Sequence, residues 1–211
     1  MLAIRPDTAC WRLLSGPAGP GAETLPQHVA RLGGRPTGGT WLIDLLEASN
    51  LRGRGGAAFP TGRKWRSVAA GATGDRVVVV NLAEGEPASF KDRTLGALRP
   101  HLILDGAALA VESIAASRAI VYVGRAHTAA REALRFAAKE RRRRNADECR
   151  FDIVEAPDRY VAGETSALVN RLNGGPAKPT MTPGRTTAPR TVTSAVPGES
   201  EVPTWRNQSA P

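Results

Sequence analysis

A run of glycine, basic and aromatic residues between Leu51 and Trp65 has the composition of a loop that binds an anionic, ring-bearing ligand. Glycine allows the backbone to approach a ligand closely, arginine and lysine favour phosphate, and Phe59 and Trp65 offer flat faces for a ring. The run is predicted to be neither helix nor strand. A phosphate-cradling loop is one interpretation, and a Gly/Arg-rich surface linker is the other. Its candidate binding residues are Gly53, Arg54, Gly55, Gly56, Phe59 and Lys64.

A second polar group follows directly after a run of β-branched residues. The segment 76–81 is a short apolar run typical of a strand buried on both faces, and it leads into Asn81, Glu84 and Glu86. In parallel sheets, ligands bind beyond the carboxyl ends of the strands. These polar residues therefore lie where a ligand is expected to bind, and their side chains are suited to binding one.

The elements that must position these residues alternate between strand and helix patterns. Strands are predicted at 76–81, 118–123 and 150–154, with helices near 101–116 and 126–144 between them. Short connections of this kind require crossovers and a mainly parallel sheet. The fold class is therefore predicted to be α/β, with a mainly parallel sheet and crossover helices.

Composition divides the 211 residues into three parts. Residues 1–50 form a Gly/Pro-rich segment that ends in a lead-in helix near Thr40–Ser49, and residues 51–182 form the α/β domain. From 183 to 211, Thr, Pro, Ser, Gly and Arg dominate without an amphipathic period, which predicts a disordered tail.

Several classes of protein are disfavoured by composition. No apolar run approaches the roughly 20 residues of a membrane span, and no signal peptide is recognisable, so we expect a cytoplasmic protein without membrane insertion. Two distant cysteines, Cys10 and Cys149, predict neither a disulfide framework nor a metal cluster. The formal net charge of +9 leaves a basic nucleic-acid-binding protein as an alternative, but no motif beyond charge supports it. The run Arg141–Arg144 is more simply a solvated helix end.

The glycine-rich run, the polar residues that follow the first predicted strand and the segment Tyr160–Leu168 together resemble a known family. The chain is similar to the flavin- and NADH-binding subunit of respiratory NADH:quinone oxidoreductase (complex I), a unit that recurs in soluble formate dehydrogenases and hydrogenases. The three motifs of that family correspond in order to Gly53–Gly62, Asn81–Ala88 and Gly163–Leu168. The similarity covers roughly residues 25 to 180.

The resemblance implies a Rossmann-like domain that binds FMN and NADH and transfers a hydride from NADH to the flavin. It implies that the glycine loop covers the flavin, that Lys64 bonds its polar groups and that Phe59 stacks on adenine. Asn81 and Glu84 would contact the flavin, and Glu86 would bind the adenosine ribose. Gly163 and Glu164 would close the other side of the flavin pocket. Other redox subunits are the implied protein partners, and no catalytic side chain or metal site is implied in this chain.

The chain also departs from the family. Ala83 stands where the family usually has Asp, and Thr165 stands where a second Glu is usual. The family continues into a ubiquitin-like domain and a cysteine-bearing helical bundle, whereas this sequence changes character at Pro183. We therefore expect a truncated NADH-oxidising module without an iron–sulfur cluster, a truncated or frame-shifted gene being the simplest explanation. The alternative is an inactive remnant that binds a nucleotide or partner subunits.

Overall fold

The computed structural model describes residues 13–15, 21–53, 58–71, 75–86, 88–146 and 149–180, together with the backbone of 191–192 and 205–206. The three expected strands are present as β1 (Val77–Leu82), β2 (Arg118–Gly124) and β3 (Phe151–Ala156). They form a parallel sheet in the order β1-β2-β3, with Val79 opposite Ile120 and Val121 opposite Ile153. The predicted parallel α/β architecture is confirmed.

Seven helices accompany the sheet in the described part of the chain. The two crossover helices and the lead-in helix were predicted within a few residues of their bounds. The helices are α1 (Leu25–Leu32), α2 (Thr40–Ala48), α3 (Thr61–Ala70), α4 (Lys91–Leu98), α5 (Pro100–Ser113), α6 (Thr128–Arg143) and α7 (Thr165–Leu172), with a short 3₁₀ turn at Tyr160–Gly163.

The central strand β2 is buried along its whole length, which explains its continuous apolar run, whereas the edge strands β1 and β3 are buried at their ends and mostly half-buried between them. One face, with Val121 and Val123 of β2, packs against α5 and α6 through Leu104 and Leu134. The opposite face, with Ile120 and Tyr122, packs against Leu168 and Leu172 of α7. Both crossovers, through α4–α5 and through α6, lie on the same face, as the strand order 1-2-3 requires for crossovers of one hand.

The glycine-rich run is not a loop throughout, so the prediction that it forms no helix was wrong for its second half. The helix α3 begins at Thr61 and packs against α2, where a Cβ on Gly62 would come within 2.6 Å of Glu47 Cγ. The close packing of α3 on α2 therefore requires glycine at this position, although glycine has a low helix propensity. Lys64 and Trp65 therefore lie on a helix.

The predicted disordered tail lies mostly outside the described residues. Its described backbone contains one antiparallel pair of two-residue strands, β4 (Thr191–Val192) and β5 (Trp205–Arg206).

A buried network of charged residues fastens α1 to α5 and α6. The carboxylate of Asp105 accepts hydrogen bonds from Arg141 Nη2 at 2.6 Å and pairs with His28 Nε2 at 2.7 Å. The other ring nitrogen of His28 lies 3.3 Å from Glu23 Oε2. Burial raises the pKa of Asp105, but the bonds from His28 and Arg141 outweigh it and leave the pKa below its usual range.

His101, on α5, completes this network as a fully buried neutral imidazole. Arg141 Nε donates to His101 Nδ1 at 3.1 Å, and an arginine can only donate, so this nitrogen must be unprotonated. Burial and the neighbouring Arg141 charge lower the pKa of His101 to about 4. The network thus depends on keeping His101 uncharged.

Candidate functional site

The side chain of Asn81 joins the second motif to the third. Asn81 lies near the carboxyl end of β1, where its Nδ2 donates to the carbonyl oxygen of Gly163 at 2.7 Å. Its Oδ1 accepts from the backbone nitrogen of Ala83 at 3.1 Å. Both ends of the amide are therefore used to hold the turn after β1 against the segment before α7.

Two glycines allow this junction to close backbone against backbone. A Cβ on Gly85 would collide with the carbonyl oxygen of Tyr160, and a Cβ on Gly163 would collide with the carbonyl oxygen of Ala83. Neither glycine has positive φ, so close approach, and not a special backbone conformation, requires glycine here. We call this contact between the 83–86 and 160–163 segments the motif junction.

Glu86 is the exposed carboxylate of the motif junction. Its Oε1 accepts a hydrogen bond from the hydroxyl of Tyr160 at 2.8 Å, and the Tyr160 side chain is itself exposed. This bond and the negative charge of Glu86 raise the pKa of Tyr160. Glu86 therefore presents a solvent-accessible acceptor at the carboxyl edge of the sheet.

Glu84, two residues earlier, is turned inward. Its side chain is only 1% exposed and accepts hydrogen bonds from Ser89 Oγ and from the backbone nitrogen of Asp92, the latter at 3.3 Å. Arg93 Nε lies 3.6 Å from its second oxygen. Burial raises the pKa of Glu84, but the hydrogen bonds outweigh it and keep the pKa below its usual range. Glu84 thus fixes the turn between β1 and α4.

Glu164 is the N-cap of α7. Its Oε2 accepts from the backbone nitrogens of Ser166 and Ala167 at 2.9 and 3.0 Å, and from Ser166 Oγ at 2.6 Å. These bonds satisfy donors that the first turn of a helix leaves free, and the carboxylate also suits the positive end of the helix dipole. This capping role was not predicted from the sequence, because glutamate is not among the residues preferred at the N-cap.

The glycine loop is closed at its base by paired backbone. Gly53 N donates to Phe59 O at 3.0 Å, Thr61 N donates to Leu51 O at 2.8 Å, and Arg52 forms an antiparallel bridge with Pro60. The predicted ligands Arg54, Gly55 and Gly56 fall within 54–57, outside the described residues. Gly53 belongs to the base of this loop.

Phe59 and Lys64 remain available to a ligand. Phe59 is 57% exposed, and Lys64 lies exposed in the first turns of α3. Arg66, on the same helix, donates to Glu47 and Asp44 of α2 and secures the helix pair. The contacts of the described residues thus tie the glycine loop to α2 and α3, and tie the second motif to the third.

Two observations concern metal ions and membranes in the part of the chain that the structure describes. No group of three or more His, Cys, Asp or Glu residues there is arranged to hold a metal ion. None of the helices in this part of the chain is both long enough and apolar enough to cross a membrane.

With this geometry established, the family can be assigned. The Nuo51 FMN-binding domain matches residues 46–196. The chain belongs to this family. The match includes all three motifs, and the parallel sheet and its helices agree with the fold of the family's flavoproteins.

Individual relatives support the assignment. The chain is 34% identical over 151 residues to a NADH-quinone oxidoreductase subunit of Aquifex aeolicus, covering 67% of this chain and 35% of that protein. It is 35% identical over 158 residues to the equivalent protein of Rhodobacter capsulatus, covering 69% of this chain and 36% of that protein. The air-oxidized NAD⁺-reducing [NiFe]-hydrogenase superposes with a TM-score of 0.61 at 36% identity, covering 67% of this chain and 25% of the hydrogenase chain. The chain spans about a third of the length of the curated relatives it matches.

Three exposed groups, two at the glycine loop and α3 and one at the motif junction, have the chemistry that a flavin mononucleotide and a nicotinamide nucleotide need. Lys64 is an exposed cation, Phe59 is an exposed aromatic face, and Glu86 is an exposed acceptor. The two departures from the family occupy contrasting positions. Ala83 contributes its carbonyl oxygen and N–H to the motif junction and packs against the core around Tyr122, whereas Thr165 is the first residue of α7.

Proposed function

We propose that this chain is an FMN-dependent, NADH-oxidising module of the diaphorase type. The proposal rests on the motif junction, where the second and third family motifs are in contact at the carboxyl edge of a parallel sheet. Ligands of open α/β sheets bind at this edge. The family match over residues 46–196 supports FMN as the cofactor.

The proposed roles follow the exposure of each side chain. Lys64 and the glycine loop, with Gly53, Arg54, Gly55 and Gly56, hold the flavin, and Phe59 stacks on the adenine of NADH. Glu86 accepts hydrogen bonds from the adenosine ribose. Asn81, Glu84, Gly163 and Glu164 hold the walls of the site, because the structure commits their polar groups to the junction, to α4 and to α7.

The flavin, when bound, supplies the chemistry by accepting a hydride from NADH. The protein binds and orients FMN and NADH. Glu86 discriminates between NADH and NADPH. NADPH replaces the ribose 2′-hydroxyl by a phosphate, which removes a donor and adds negative charge beside an ionised carboxylate. We therefore expect NADH to be preferred, by about a hundredfold.

The test is a titration of NADH and NADPH into FMN-loaded protein, with the bleaching of flavin absorbance under anaerobic conditions as the readout. In Glu86→Gln the preference for NADH should shrink about tenfold, because the repulsion is lost while an acceptor remains. Glu132→Gln, an exposed carboxamide replacement on α6, is the matched control and should keep the native preference. Equal affinities for both nucleotides in the native protein would contradict the role given to Glu86.

An inactive remnant is the second candidate, favoured by Ala83 and Thr165 at positions where the family usually carries carboxylates. A remnant would bind FMN and show no bleaching by NADH, so the same titration separates the two candidates. The active module would work in the cytoplasm. Other redox subunits would accept its electrons, since the curated relatives are named as NADH-quinone oxidoreductase subunits.

A further inference from the structure

The outward side of α6 carries a concentrated basic surface with one exposed aromatic ring. All of the side chains of this surface are exposed, and Phe136 is 60% exposed; they are Arg135, Phe136, Lys139, Arg142 and Arg143. None of its four cations has an ion-pair partner among the described residues, whereas the neighbouring Arg144 lies 3.5 Å from Glu140. We call this surface of five residues the α6 basic face.

Two cavities open beside the last turns of α6. One, of about 310 Å³, is lined by Phe136, Lys139 and Arg143 among others. The second, of about 320 Å³, is lined by Arg142 and by Phe151 at the start of β3. Each is large enough to admit side chains of a partner, and cations of the α6 basic face border both.

The α6 basic face lies at the opposite edge of the sheet from the motif junction. The carboxyl end of α6 and the start of β3 at Phe151 mark the amino-terminal edge of the sheet, whereas Asn81 and Glu86 follow the carboxyl end of β1. A partner bound to the α6 basic face therefore leaves the motif junction open to nucleotides.

We propose that the α6 basic face docks an acidic polypeptide segment that carries an aromatic or aliphatic side chain between its carboxylates. Guanidinium groups bind carboxylates in a bidentate manner, and Phe136 supplies an apolar contact beside them. The cations span residues 135–143, about 12 Å of helix, which suits a short segment. The exposed Glu132 on the preceding turn ends the cation cluster, so the basic surface is short for a nucleic acid backbone, whose binding depends on a longer series of phosphate contacts.

The experiment titrates the full chain with a fluorescent synthetic peptide of glutamates interspersed with phenylalanine, followed by anisotropy, and with an all-glutamate peptide of the same length. The phenylalanine peptide should bind more tightly, and its affinity should fall as salt is added. Arg143→Glu should weaken binding about tenfold, because it replaces attraction by repulsion. Phe136→Ala should weaken only the phenylalanine peptide.

Arg171→Glu is the matched control, since Arg171 is an exposed arginine in the last turn of another helix, α7. It should leave peptide affinity within about twofold of native. Unchanged binding in Arg143→Glu would overturn the proposal. So would tighter binding of a single-stranded oligonucleotide or of phosphatidylserine vesicles through the same residues. FMN binding is measured in a separate titration, so the peptide-binding results do not depend on it.

Discussion

Replacing Gly163 by alanine should destabilise the protein by opening the motif junction. The added Cβ would collide with the carbonyl oxygen of Ala83, which is backbone and cannot rotate away. Relieving this overlap costs about 1–3 kcal/mol, and displacing the bond from Asn81 Nδ2 costs about 0.5–1.5 kcal/mol more. The lower entropy of the unfolded alanine chain returns about 0.4–1 kcal/mol. The net expectation is a loss of about 0.5–4 kcal/mol.

The assay is urea unfolding followed by circular dichroism, combined with FMN titration. Gly34→Ala is the control, because Gly34 has open space around its Cβ position and no positive φ. This control should be neutral or slightly stabilising and should keep native FMN affinity. If Gly163→Ala were as stable as the control and bound FMN equally well, the two segments would not be packed as described, and the reasoning would be refuted.

Two further predictions concern buried and capping groups. Because the pKa of His101 is lowered to about 4 in the folded chain, the unfolded state takes up its proton first on acidification. The stability gained from neutral His101 is complete above about pH 6.5 and is lost towards pH 4, by up to about 3 kcal/mol. His101→Gln should flatten this dependence in urea unfolding across that pH range, and an unchanged slope would count against a neutral buried histidine. Glu164→Ala should lower the free energy of unfolding by about 0.5–2 kcal/mol through loss of the α7 cap. The same measurement on Glu164→Gln, which retains an acceptor, should show a smaller loss; equal losses would argue against capping.

The sheet was predictable because β1 and β2 are short runs of β-branched residues, such as Val79 and Val121, and because helix-forming segments separate the three strands. The helix α1 was missed although Thr24 and Gln27 form a capping box ahead of it, a signal present in the sequence. The helix α3 could not be predicted from propensity, because the contact of Gly62 with Glu47 is tertiary.

The carboxylates of the site show a second reason why the sequence alone could not predict the site. Glu84 and Glu86 are equivalent as sequence, two residues apart in a loop without periodicity. Ser89 and the first turn of α4 bind Glu84, whereas Tyr160, far along the chain, binds Glu86. Only the fold decides which carboxylate faces solvent.

The charged network behind α5 is likewise non-local. Its central bond joins His28 and Asp105, which are 77 positions apart, and the histidines have no spacing that indicates a shared site. Such networks follow from the packing of whole helices and have no short motif.

The most direct test of the central claim is the binding of FMN to the purified chain, measured by quenching of flavin fluorescence. The account predicts saturation at one FMN per chain, weaker binding of riboflavin, which lacks the phosphate, and reduced affinity in Gly163→Ala. A chain that is folded by circular dichroism yet leaves FMN fluorescence unchanged would contradict the assignment of the motif junction as a flavin site.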